Sequence, residues 1–254
     1  MEKYRHEKQF FIKYCDTDFK DEMKVSTALS LFEEVACSSA DELGFGYEFL
    51  KPKGIAFLVS GVRLRFSHPV RLGETVTVCT WPTPPSYAVF GREYQMLSES
   101  GEIFVSASSR WCAVDLKTGK VLSSKFLEGQ DYSTYNTDRA LTVENWKIPS
   151  FPLEEGELRY TLTVANSEYD HYMHVNNTRY ADYCLNAFSV AELKVARVKD
   201  FAVSYAKQCK EGETLRFYRK RTNEGAFIVQ GVKESGEIAV LCEISFEKTE
   251  GENA

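Results

Sequence analysis

Glu99-Ser-Gly-Glu-Ile103 recurs as Glu234-Ser-Gly-Glu-Ile238, at an offset of 135. Earlier in the chain, Gly73-Glu-Thr-Val76 recurs as Gly212-Glu-Thr-Leu215 at 139, and Met23-Lys-Val-Ser26 faces Met173-His-Val-Asn176 at 150. Three matches in one order, with a shrinking offset, mark a duplicated unit whose second copy is the shorter. Two copies at so long a period exclude a solenoid.

The pattern between these landmarks repeats as well. Residues 8–15 read as a strand. Ala28, Phe32, Val35, Ala36, Ala40 and Leu43 fall at helical spacing, with Ser26 as cap and Gly44 as stop. Strands are expected at 54–66, 74–81, 88–97 and 102–115. In the second half a strand at 158–165 precedes a long helix from Asn176, with Tyr180, Tyr183, Cys184, Ala187 and Ala191 on one face. Strands follow at 198–206, 213–220, 225–233 and 237–248. A long helix wrapped by one antiparallel sheet suits this order, which makes each half α+β. The expected domains are 1–126 and 157–250, joined by a polar surface linker at 127–156.

Composition narrows the function classes. The chain has 254 residues, 43% of them apolar and 27% charged, which is ordinary globular usage. Its net charge of −6 weighs against a nucleic-acid partner. No apolar run approaches the roughly 18–20 residues of a membrane span. MEKYRHEKQF carries neither the apolar stretch of a signal peptide nor the character of a transit peptide. The seven cysteines include no CxxC pair, so reduced thiols in the cytoplasm are expected.

Asp170-His-Tyr-Met-His174-Val-Asn-Asn177-Thr-Arg-Tyr180 resembles the signature of the acyl-acyl carrier protein thioesterases, an Asp-x-Asn-x-His-Val-Asn-Asn run ahead of the second hotdog domain's helix. Tyr14-Cys-Asp-Thr-Asp18, Arg92-Glu-Tyr94, Ser109–Asp115 and the turn Lys117-Thr-Gly-Lys120 extend the likeness through the first half. The resemblance implies a tandem (double) hotdog that hydrolyses fatty acyl thioesters on acyl carrier protein and releases free fatty acid. It calls for no cofactor. The partner implied is acyl carrier protein bearing a fatty acyl-phosphopantetheine, and a homodimer is left open. The family's Asp and His fall on Asp170 and His174. Its Asn is replaced by Tyr172, and its Glu-Cys pair reads Gln208-Cys209.

A thioester is already electrophilic, so hydrolysis needs an activated water or a nucleophile, and donors for the oxyanion. Asp170 is the candidate base or nucleophile, and His174 the candidate proton shuttle. Asn176 would cap the helix or polarise the carbonyl, and Tyr172 would offer a hydroxyl. Gln208 could orient water but not act as a base. Other readings stand beside these. Asp170 also suits a turn or cap, His174 a structural role, and Cys209 an inert buried thiol more readily than a nucleophile. His171-x-x-His174 has metal spacing but no accompanying ligand cluster.

The first half shows Lys24 opposite His174, and Ser26 and Thr27 opposite Asn176 and Asn177, so one active site per chain is expected. The alternatives are an acyl-coenzyme A thioesterase and a non-catalytic acyl-binding module. Arg63, Arg65 and Arg71, or Arg216, Arg219, Lys220 and Arg221, are candidate docking groups for an acidic carrier.

Overall fold

The computed structural model describes residues 3–127, 132–170 and 172–248. The chain divides between Val143 and Glu144 into two compact units.

Unit 1 contains β1 (His6–Phe11), α1 (Val25–Glu42), α2 (Tyr47–Leu50), β2 (Ile55–Phe66), β3 (Thr75–Pro82), β4 (Phe90–Leu97), β5 (Ile103–Asp115) and β6 (Val121–Leu122). Its strands run β1-β3-β4-β5-β2, all antiparallel, with β6 on β5. Strand β1 is shorter than expected. After Phe11 the chain tightens into a 3-10 turn at Tyr14–Asp16, where Asp16 Oδ2 accepts the Lys13 N–H at 2.9 Å.

Helix α1 buries Val25, Ala28, Leu29, Phe32, Val35, Ala36 and Ser39 on one face. Opposite it, Val76, Val78, Met96, Val105 and Ala107 are fully buried on the sheet. The cap position is Lys24, not Ser26, which lies buried in the first turn. Backbone closure replaces the side-chain cap: the Lys24 N–H donates to Asp16 O at 3.0 Å, and Thr27 Oγ1 to the same carbonyl at 2.9 Å. The helix ends at Gly44, where φ is +78° and Phe45 N–H reaches back to Ala40 O at 3.0 Å.

Unit 2 contains β7 (Glu157–Thr163), α3 (Arg179–Leu185), α4 (Val190–Lys194), β8 (Ala196–Tyr205), β9 (Thr214–Arg221), β10 (Phe227–Lys233) and β11 (Ile238–Lys248). Its order, β8-β11-β10-β9-β7, is the order of unit 1. The expected single long helix is in fact two short ones. After Leu185 the Ala187 and Phe188 N–H groups bond three residues back, tightening the chain. Ser189 then starts α4 with a capping box to Glu192. Ala191, placed on the buried face by spacing, is exposed.

The segment between the halves is not simply draped over the surface. Tyr135, Asn136, Ile148 and Phe151 are buried. In unit 1, Trp81 Nε1–H donates to Asp138 O at 2.9 Å, and the Tyr4 N–H to Thr134 O at 2.8 Å. In unit 2, Gln230 holds both the N–H and the carbonyl of Phe151. Glu93, 1% exposed, accepts from Ser108 Oγ, from Arg139 Nη1 at 2.7 Å and from the Ala140 N–H at 3.0 Å. Glu93→Ala should therefore cost about 2–4 kcal/mol in chemical denaturation, because it orphans buried donors. Arg139→Ala, on the 58%-exposed partner, should cost less than about 1 kcal/mol.

Candidate active site

The chain leaves β7 at Val164, whose N–H donates to Glu213 O at 3.0 Å. It makes a 3-10 turn at Asn166–Glu168, in which Glu168 Oε2 accepts the Ala165 N–H at 2.8 Å. It then doubles back. Tyr169 bridges Val175, Asp170 N–H donates to His174 O at 2.8 Å, and Asn176 N–H donates to Glu168 O at 2.8 Å. Inside this hairpin Asp170 Oδ1 accepts the N–H of Tyr172 at 2.8 Å and of His174 at 3.4 Å. Met173 takes φ +62° to close the turn. Asn176 Oδ1 accepts the N–H of Thr178 at 2.8 Å and its hydroxyl at 2.7 Å, which launches α3.

Asp170, Tyr172, His174 and Asn176 are thus gathered on one half-buried hairpin. Among the described residues, nothing donates to Asp170 Oδ2 and nothing bonds the His174 ring. His171 lies outside the described residues.

Cys209 is fully buried, but in the loop between β8 and β9 rather than in a strand. Burial pushes its thiol up, against the pull of the Tyr180 hydroxyl that bonds it. Gln208 is exposed, and its carbonyl accepts Lys233 Nζ at 2.6 Å. Gln208 and Cys209 therefore do not act as a pair: one side chain is outside and the other is inside.

Three further groups surround the hairpin. Tyr205 donates its hydroxyl to Asn177 O at 3.1 Å. Tyr180 and Tyr183 are 3% and 5% exposed. Burial, and then Cys209, push the Tyr180 hydroxyl well above its ordinary range. Burial, and then the hydrogen bond and charge of the nearby Glu168 carboxylate, do the same to Tyr183. Helical spacing showed both tyrosines as core. Nothing in the sequence placed Glu168 beside them.

Unit 1 builds the same hairpin. Asp18 N–H donates to Glu22 O at 2.8 Å, and Lys24 N–H to Asp16 O at 3.0 Å. Thr17 bridges Met23, and Asp21 takes φ +56°. Asp18 Oδ1 accepts the N–H of Lys20 at 2.8 Å and of Glu22 at 3.3 Å. The copies therefore align at an offset of 152 here, not 150. Glu22, not Lys24, stands opposite His174, and Lys24 stands opposite Asn176. In place of Tyr172 is Lys20, whose Nζ lies 3.8 Å from Asp18 and 3.3 Å from Glu22. At the offset of 139 that relates the Gly73 and Gly212 turns, Val70, 1% exposed, takes the place of Cys209.

The sequence pattern of the acyl-ACP thioesterase N-terminal domain matches residues 3–125, and that of the C-terminal domain residues 153–248. The chain belongs to the acyl-ACP thioesterase family.

Among its relatives, the chloroplastic acyl-[acyl-carrier-protein] hydrolase FATB3 of Cuphea viscosissima is 23% identical over 202 residues. That match covers 75% of this chain and 48% of the relative. The chain spans about half the length of the curated plant relatives it matches. An acyl-ACP thioesterase from Bacteroides thetaiotaomicron superposes with a TM-score of 0.87 at 22% identity, over 96% of this chain and 98% of that one. The 12:0-ACP thioesterase of Umbellularia californica superposes at 0.86 with 14% identity, over 96% and 98%. These likenesses establish the double hotdog fold. Among the described residues no helix is long and apolar enough to cross a membrane.

The arginine-rich strand β9 is neutralised at two of its four cations. Arg219 pairs with Glu192 at 2.7 Å and Glu157 at 3.4 Å, and Lys220 pairs with Glu155. Burial opposes ionisation of Glu192, but the Ser189 N–H and hydroxyl and the Arg219 guanidinium outweigh it and pull the carboxyl down to about 2. A carboxyl lowered on folding stabilises above its unfolded value near 4.5, and that stabilisation is lost as pH falls toward 2. Denaturation midpoints measured between those limits should fall less steeply in Glu192→Gln than in the parent.

Proposed function

We propose that the chain hydrolyses fatty acyl thioesters carried on acyl carrier protein, with Asp170 and His174 as the catalytic pair. The observation that carries this reading is the contrast between two superposable hairpins. In unit 1 the aspartate faces an ion-paired Lys20 and Glu22. In unit 2 the same backbone presents an imidazole, a phenol and a carboxylate oxygen that no donor reaches among the described residues.

Each group has a role that its bonds allow. Asp170 Oδ1 is held by the turn, so Oδ2 is left to attack the thioester carbonyl or to take a proton from water. As the C–O bond forms and the C–S bond breaks, His174 passes a proton to the leaving thiolate; where water attacks, its proton goes to Oδ2, and where Oδ2 attacks, water then cleaves the acyl-aspartyl anhydride and returns a proton to His174. Asn176 spends its side-chain oxygen on Thr178, which leaves its amide NH2 to orient the acyl group. The Tyr172 hydroxyl is the donor offered where the family has an amide. Cys209 packs as a small apolar side chain, as Val70 does in unit 1.

The test is free-thiol release from acyl carrier protein thioesters. Asp170→Asn keeps the Oδ1 acceptor, so the fold should survive while kcat falls by roughly 10²–10⁴, and His174→Ala should fall similarly. Asp18→Asn should leave kcat within about twofold, since no chemistry is assigned to that hairpin. Unchanged turnover in both unit 2 variants would place the chemistry elsewhere. Preference for coenzyme A esters over the same acyl chain on the carrier protein would overturn the carrier assignment. Cys209→Val should fold and retain most activity, and its inactivation in a folded protein would restore the thiol as nucleophile.

A further inference from the structure

One end of unit 1 carries a surface that the hydrolytic reading does not use. The starts of β2 and β4 and the end of β5 meet there, because these strands are antiparallel neighbours. The loops 47–54, 86–89 and 115–125 converge on that end. Leu116 N–H donates to Gly54 O at 2.8 Å, and Ser124 N–H to Tyr87 O at 2.6 Å, which ties them together.

These loops expose Lys51, Lys53, Lys117, Lys120 and Lys125. None of the five makes an ion pair among the described residues. Their loops hold only two carboxylates, Glu48 and Asp115, and Asp115 Oδ1 is already bonded to the Lys117 and Thr118 N–H groups. On a chain of net charge −6 this is a local positive field.

Interleaved with the lysines are exposed apolar side chains. Tyr87 is 82% exposed, Val121 56%, Leu116 54%, Tyr47 41% and Phe49 36%. Lys53 Nζ sits 3.5 Å from the Phe49 ring centroid and Lys51 Nζ 5.1 Å from that of Tyr47. The ammonium heads thus sit against the rings as cation–π contacts, and Lys53 Nζ also donates to Phe49 O at 3.2 Å. Exposed Tyr87, Leu116 and Val121 beside unpaired lysines suit a bilayer surface, where cations meet anionic headgroups and protruding apolar side chains enter the acyl boundary.

We propose that this end of unit 1 seats on the anionic surface of a lipid bilayer. The experiment is cosedimentation of the full chain with vesicles made of equal parts phosphatidylcholine and phosphatidylglycerol. Binding is expected at low salt, weakening as salt is raised, and absent on phosphatidylcholine alone. Each lysine is expected to contribute about fivefold, so Lys51→Ser/Lys53→Ser/Lys117→Ser should weaken binding by well over tenfold. Leu116→Ser/Val121→Ser should weaken it at unchanged charge. Unfolding midpoints of both variants verify that the fold is intact. Failure to sediment with the anionic vesicles, or triple-variant binding equal to the parent, would overturn the proposal. So would an acidic carrier protein binding this face while the vesicles do not. The readout needs no turnover, so its failure leaves the assignment of Asp170 and His174 untouched.

Discussion

Everything at the candidate site depends on one carboxylate oxygen. Asp170 Oδ1 accepts two N–H groups of its own turn, and the turn is closed again by backbone bonds on either side of it. This arrangement carries the chain from an edge strand into a helix within a few residues. It is repeated at Asp18 with distances that agree to 0.1 Å, 2.8 and 3.3 Å against 2.8 and 3.4 Å. Because the backbone and one aspartate oxygen fix the geometry, the residues two and four positions later are free to change. The scaffold then presents Lys20 and Glu22 in one copy and Tyr172 and His174 in the other.

The two units handle buried polarity differently. On β4 of unit 1, Arg92 and Glu93 are adjacent and so face opposite sides of the strand. Arg92 is 6% exposed and bonds Ser39 Oγ at 2.9 Å and Thr80 Oγ1 at 3.2 Å, pinning α1 to β3. No carboxylate answers it among the described residues. The nearby phenols of Tyr4, Tyr94 and Tyr135 are each pushed up to about 12 by burial, so they act as dipoles and not as anions. Unit 2 packs aromatic rings where α3 meets β7 and β9. Tyr160 lies parallel to Phe217 at 4.9 Å, and Tyr183 meets Phe217 edge-on at 6.0 Å.

The repeat was legible in the sequence because the matched segments are turns with strict backbone demands. Gly101 and Gly236 both sit at φ +85°, and Gly73 and Gly212 at +84° and +82°. A side chain at such a φ is strained, so these turns keep glycine where the strands between them vary freely. The register of the candidate hairpin was less legible. Met23 and Met173 match as letters, yet Met23 is a buried bridge residue and Met173 is a 71%-exposed turn residue. The shared constraint there is Asp18 with Asp170, a single residue type too common to stand out in a short match. The break between α3 and α4 was hidden for another reason. Tyr180, Tyr183, Cys184 and Ala187 keep helical spacing and are all buried, so the apolar pattern ran on past the point where backbone bonding changes.

The duplication also serves as an internal control on what is chemistry and what is architecture. A group present in both hairpins, such as the aspartate oxygen facing the turn, is explained by folding alone. A group present in one and inert in the other needs a second reason. By that measure Cys209 loses its claim, since Val70 fills the same buried place in unit 1 and burial holds the thiol protonated. His174 gains by the same measure. Its counterpart Glu22 is 7% exposed and close to Lys20, whereas the imidazole is half-buried on an identical backbone. The difference between the copies lies in side chains that the fold does not require, which is where selection for chemistry would leave its mark.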